Sequence, residues 1–231
     1  MGCDVVAESA PCGGEVGSDL VPGVGWGAEQ ELEPISGGGV VAQIPPEAVS
    51  AAGVADRPGA IPVDGELALA VSLDGQTEIF RSLPNGKPVR LTYSPALEVS
   101  PTWSPNGYEI AFTSDRTAPP QTYAMDREGS NLRRVTWIGG YNDQAAWSPM
   151  GDRIVFARQA GGFQIMTISP DGTDEKWLGV GEQPKWSPDG RHIVFIRRNG
   201  TRSDLWTCNA DGSSPRQLTF YGDATQPAWS R

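Results

Sequence analysis

Chemistry-bearing residues are few in this sequence, and their spacing is poor for catalysis. His192 is the only histidine. A histidine-based metal triad therefore has no members, and a Ser-His-Asp triad would rest on this one residue. It opens the apolar run Ile193-Val-Phe195, where a half-exposed strand histidine is the simpler reading. No Gly-x-Ser-x-Gly nucleophile elbow occurs. Asp171, Asp189 and Asp211 each precede a glycine; paired carboxylates can do acid–base work, but Asp-Gly is also what a tight turn uses. Cys3, Cys12 and Cys208 are odd in number and lack metal-type spacing, which argues against a disulfide framework and a zinc site. The pairs Arg133-Arg134 and Arg197-Arg198 are too short to form a nucleic-acid stripe. No residue is assigned to catalysis, to a metal or to a cofactor.

The elements that would have to position such groups are repeated. Val99-Ser-Pro-Thr-Trp-Ser-Pro105 returns as Ala145-Ala-Trp-Ser-Pro149, Pro184-Lys-Trp-Ser-Pro188 and Pro227-Ala-Trp-Ser230. Its tryptophans are Trp103, Trp147, Trp186 and Trp229, at intervals of 44, 39 and 43 residues. A period near 40–45 residues is that of a β-propeller blade of four short antiparallel strands. The first three copies turn after the tryptophan through Ser-Pro-Asn-Gly, Ser-Pro-Met-Gly or Ser-Pro-Asp-Gly, with Pro where φ is near −65° and Gly where φ is positive. Ile110-Ala-Phe112, Ile154-Val-Phe156 and Ile193-Val-Phe195 then read as central strands buried on both faces. Phe80, Tyr123, Met166 and Trp206 share the next column, and Thr92, Thr136 and Thr219 close the outermost strand of their units.

The expected fold is all-β: a propeller of about four blades over residues 64–231, either a small closed ring or an open arc of a larger one. The first unit, Leu67–Val71, Glu78–Phe80 and Pro88–Thr92 with turns at Asp74-Gly75 and Asn85-Gly86, lacks an innermost strand. The last strand, Ala224–Trp229, has no blade of its own, so it could complete the first. Residues 1–63 read as a disordered segment, because residues 1–60 hold twelve glycines, six prolines and one aromatic, Trp26.

Charge and hydropathy exclude several functions. The net charge is −10, with −8 in residues 1–60 and −2 in the rest. A nucleic-acid partner is excluded for want of a basic face. No run of about 18 apolar residues is present, so no membrane insertion is expected. No secretory signal is visible, and Met1-Gly2-Cys3 fails the myristoylation pattern at Val6.

Pro101-Thr-Trp-Ser-Pro-Asn-Gly107, Ile110-Ala-Phe-Thr-Ser-Asp-Arg116, Asn131-Leu-Arg-Arg-Val-Thr136, Ser187-Pro-Asp-Gly-Arg191 and the ending Gln226-Pro-Ala-Trp-Ser230 resemble the repeats of the TolB family. So does Gly139-Gly-Tyr-Asn-Asp143. The resemblance covers residues 64–231. It implies a six-bladed, non-catalytic periplasmic scaffold of the Tol–Pal system, preceded by an α/β domain, with roles in outer-membrane integrity and cell division. It further implies a Pal-like lipoprotein partner docked over the central opening, and a TolA-like partner reached through the family's mature N-terminus. On the loops entering the innermost strands, the matching partner-binding positions are Glu98, Val99, Tyr141, Asn142, Asp143, Glu182, Ala224 and Thr225. The family's α/β domain, signal sequence and about two blades are missing from this chain, which reads as a fragment of the family's full length. The alternative is the non-catalytic propeller of a prolyl-oligopeptidase-like peptidase or another hydrolase whose catalytic part is absent.

Overall fold

The computed structural model describes residues 5–8, 65–73, 75–82 and 86–230. Asp74, Asn85 and the stretch 9–64 lie outside the described residues, and with them the greater part of the segment expected to lack order. All described elements are strands. They are β1 (Val5–Glu8), β2 (Leu67–Leu73), β3 (Gln76–Ser82), β4 (Val89–Arg90), β5 (Glu98–Trp103), β6 (Glu109–Ser114), β7 (Gln121–Asp126), β8 (Arg133–Arg134), β9 (Tyr141–Trp147), β10 (Ile154–Gln159), β11 (Phe163–Ile168), β12 (Lys176–Val180), β13 (Glu182–Trp186), β14 (His192–Asn199), β15 (Arg202–Asn209), β16 (Arg216–Gln217) and β17 (Thr225–Trp229).

Three sheets are complete blades, ordered β5-β6-β7-β8, β9-β10-β11-β12 and β13-β14-β15-β16, antiparallel throughout. The first unit has three strands, β2-β3-β4. The last strand does not join it. β17 pairs with β1 in the register Val5 to Trp229 and Val6 to Ala228, so the expected loan of Thr225–Trp229 to residues 67–92 is not what the structure shows. β1 is a strand inside a segment expected to have none.

The core lies between blades. Trp103, Phe112 and Met125 pack with Ala68, Ala70 and Ile79 of the preceding unit. Trp147, Ile154 and Phe156 pack with Ala111, Ala124 and Val135 in the same way, and Trp186, Ile193 and Phe195 with Ala146, Val155 and Ile165. A small residue of one blade therefore faces a large aromatic of the next, which lets flat sheets close to full packing density. The apolar triplets of the central strands, Ile110–Phe112, Ile154–Phe156 and Ile193–Phe195, are buried, as continuous apolar runs require.

Two polar devices recur beside this core. The outer strands β4, β8 and β16 leave the sheet after two residues, and a threonine hydroxyl then replaces the missing backbone acceptor. The N–H groups of Ile79, Thr122 and Leu205 donate to Oγ1 of Thr92, Thr136 and Thr219, each at 2.9 Å. The third blade has Gly179 in that column and instead continues its backbone ladder to Val180. The second device is a close approach between blades. A Cβ on Gly172, at φ +85°, would stand 2.9 Å from the carbonyl oxygen of Val135 in the preceding blade. Only glycine fits this turn against its neighbour.

Candidate protein-docking mouth

Each innermost strand begins at the end of the blade where the preceding outer strand hands over, and each carries the same bulge three residues before its tryptophan. Ser100, Gln144, Gln183 and Gln226 occupy this position with φ of 54°, 58°, 54° and 47°. The bulge turns the backbone N–H away from its own sheet. The Gln183 N–H donates to Gln144 Oε1 at 2.7 Å, and the Gln226 N–H to Gln183 Oε1 at 2.8 Å. A ladder of glutamines thus joins consecutive innermost strands. Sequence reasoning missed it, although the shared column before each tryptophan was available as a signal.

The eight positions expected at the mouth divide by burial. Glu98, Asn142, Glu182 and Ala224 are buried, Val99, Tyr141 and Asp143 are half-buried, and Thr225 is exposed. Glu98 accepts hydrogen bonds through Oε1 from Arg116 Nη2 at 2.7 Å and Ser114 Oγ at 3.1 Å. Burial pushes its carboxyl above the ordinary value, against the pull of Arg116 and with a smaller push from Glu78. In the next blade Asn142 holds the same place. Its Nδ2 donates to Gln121 Oε1 at 2.8 Å and to the Ile138 carbonyl at 3.0 Å, and its Oδ1 accepts from Arg158 Nε at 2.9 Å. Arg158 in turn grips Glu175 with both terminal nitrogens at 2.6 Å. Tyr141 donates to Asp143 Oδ2 at 3.0 Å, while Thr113 donates to Asp143 Oδ1 at 2.7 Å. Burial, and then the charge of Asp143, raises the Tyr141 hydroxyl to about 12. Glu182 is paired with Arg198.

These groups are occupied with one another, so what they fix is the shape of the rim. Display falls to a different set. Tyr93, Trp137 and Phe220 follow the outer strands of three units at the same register, and all are about two-thirds exposed or more. The Arg90 guanidinium lies over the Tyr93 ring at 4.6 Å and that of Arg134 over Trp137 at 4.7 Å. Ile138 and Tyr221 extend the apolar surface beside them. Aromatic and arginine pairs of this kind are the usual anchors of protein interfaces.

His192 is exposed at the start of β14. Asp171, Asp189 and Asp211 cap their own turns: each carboxylate accepts the backbone N–H two residues on, of Thr173, Arg191 and Ser213. Cys208 is buried on β15, and burial raises its thiol to about 11. Among the described residues no cluster of three or more His, Cys, Asp or Glu could hold a metal ion.

Successive antiparallel sheets packed face to face, with buried polar rims and displayed aromatics at the loops, define a β-propeller module. A family model described as the TolB beta propeller domain matches residues 43–231, and the chain belongs to that family. It is similar to the Protein TolB homolog of Chlorobium luteolum, 37% identical over 192 residues that cover 79% of this chain and 44% of that one. An 84-residue stretch, 35% of this chain and 20% of the relative, is 50% identical to the Tol-Pal system protein TolB of Geobacter metallireducens. A 71-residue stretch, 30% of this chain and 11% of the relative, is 37% identical to the Uncharacterized peptidase YuxL of Bacillus subtilis. Among solved structures, TolB from Acinetobacter baumannii superposes with a TM-score of 0.70 at 24% identity, over 79% of this chain and 46% of that one. The chain spans less than half the length of the TolB relatives it matches.

Proposed function

We propose that this chain is a non-enzymatic, periplasmic docking scaffold of the Tol–Pal type, serving outer-membrane integrity and cell division. Its partner is a Pal-like lipoprotein seated over the mouth; a TolA-like protein is a second partner of the assembly. The observation that carries this reading is the register of Tyr93, Trp137 and Phe220. Three units place an exposed aromatic at the same step into the next innermost strand, beside Ile138 and Tyr221. Exposed aromatics that recur at one register are candidate anchors for a protein partner. Glu98, Val99, Tyr141, Asn142, Asp143, Glu182, Ala224 and Thr225 form the rim below. In this reading Thr225 and the half-buried members touch the partner, and the buried ones hold the rim in shape.

The test is binding of a purified, lipid-free Pal-type domain to the chain by calorimetry or surface resonance. Saturable binding that is lost in the double variant Trp137→Ala, Phe220→Ala supports the reading. No binding by a sample that melts cooperatively removes it. A second reading, favoured by the peptidase match, is the substrate-gating propeller of a hydrolase. It predicts no Pal affinity, and activity only when a catalytic domain is joined to the chain.

A further inference from the structure

Three asparagines precede a glycine in this chain: Asn85, Asn106 and Asn199. Asn85 lies outside the described residues. The other two are both exposed at turns, yet the fold treats them differently. Asn106 sits in the Ser-Pro-Asn-Gly bend, where its Oδ1 accepts from Ser104 Oγ at 2.7 Å and from the Tyr108 N–H at 3.1 Å. The following Gly107 is buried, and its N–H donates to the Ser104 carbonyl at 2.9 Å. Both the side-chain amide and the nitrogen that follows it are therefore held.

Asn199 is the reverse case. Aligned on Ile154 and Ile193, the ladder of β14 and β15 runs one pair past that of β10 and β11, ending at Asn199 opposite Arg202. Gly200-Thr201 makes the turn. Asn199, Gly200, Thr201 and Arg202 are all exposed, and a Cβ on Gly200 would meet nothing within 4 Å. Among the described residues the Asn199 side chain has no hydrogen-bond partner, and the Gly200 N–H donates to no backbone carbonyl. The end pair of a ladder is also the first to open, which frees Asn199 to rotate.

We propose that Asn199 is a site of spontaneous deamidation, which the fold permits there and blocks at Asn106. The Gly200 nitrogen gives up its proton to hydroxide and attacks Asn199 Cγ. The new N–Cγ bond closes a five-membered succinimide, the Cγ–Nδ2 bond breaks, and ammonia leaves with a proton taken from water. One further water opens the ring at either carbonyl, giving aspartate or isoaspartate. Glycine permits the attack because it places no Cβ beside the nitrogen. The product is a carboxylate opposite Arg202 and next in sequence to Arg198. It stands in a cleft shared with Arg202, Asp204, Gln217 and Phe220, so the aged chain presents a new charge beside a displayed aromatic. An effect on a partner rests on the docking reading; the conversion itself does not.

The experiment incubates the full chain at pH 8, folded and in denaturant, until the denatured control has converted half of its Asn106. Peptide mass mapping reads each asparagine, and a protein isoaspartyl methyltransferase with a labelled methyl donor reads isoaspartate. In denaturant Asn106 and Asn199 should convert at comparable rates. In the folded chain Asn199 should convert while Asn106 is slowed roughly tenfold or more by the hydrogen bonds that must break first. Gly200→Ala, placed in open space, should lower conversion at Asn199 about tenfold by hindering ring closure. A folded chain whose Asn199 stays an amide overturns the proposal. Equal conversion of Asn106 and Asn199 in the folded chain overturns it too, as does a rate indifferent to Gly200→Ala.

Discussion

Gln144 Oε1 accepts the backbone N–H of Gln183 at 2.7 Å, although 39 residues separate the two. The bond exists because both residues sit at a positive-φ bulge, at the same step of consecutive blades. It converts a local irregularity into a tie between units.

Replacing Gln183 by glycine tests the tie without backbone strain, since glycine accepts the φ of 54°. The Gln226 N–H loses its acceptor. A hydrogen bond of this kind contributes about 0.5–1.5 kcal/mol. Hydrogen exchange at the Gln226 amide should therefore accelerate roughly two- to tenfold, while Ile154 and Ile193 keep their protection.

Trp103→Ala empties the junction between the first two units, where the indole packs with Ala68, Ala70 and Ile79. A loss of about 3–5 kcal/mol is expected from chemical denaturation. Gly172→Ala should cost about 1–3 kcal/mol, because the new methyl meets the Val135 carbonyl oxygen at a positive φ. A neutral result there would mean that the turn can back away from its neighbour.

Glu98 gives a pH signature. Its folded carboxyl titrates above the ordinary value of 4.5, chiefly because it is buried. The folded state then binds the proton more tightly than the unfolded chain, so this residue's contribution falls as pH rises from 4.5 through the raised value. Glu98→Gln keeps an oxygen for Arg116 and Ser114 while removing the charge. The variant should gain stability over the parent at pH 8 and lose that advantage below 4.5. Equal pH profiles would exclude the carboxyl as their source.

Cys208 should be silent in the native state. Its thiol is raised to about 11, first by burial and then by Asp211. At pH 8 the thiolate fraction is about one in a thousand. In a Cys3→Ser, Cys12→Ser background, alkylation should proceed only through unfolding and follow denaturant. Rapid native labelling would show β15 opening locally.

The blades were legible because each chemical choice recurs in register. Trp103, Trp147 and Trp186 mark innermost strands, and Ser-Pro-x-Gly and Asp-Gly mark turns. Ile110-Ala-Phe112, Ile154-Val-Phe156 and Ile193-Val-Phe195 mark central strands, all as the structure has them. The rim was less legible. Whether Glu98 or Asn142 faces solvent depends on Arg116, just past β6, and on Arg158 of β10, neither of which is signalled by the residue's own position. The β1–β17 pairing was hidden for another reason. Val5–Glu8 is too short for a periodic signal, and its partner lies more than 200 residues away.

The glycine at 172 and the threonines at 92, 136 and 219 each speak only to the adjoining module or to their own. No keystone spans the molecule in these contacts, so damage should stay where it is inflicted and melting should spread inward from the flanks. A designer could accordingly splice a module in or out at a Ser-Pro-x-Gly bend, and expect the remaining modules to keep their shape.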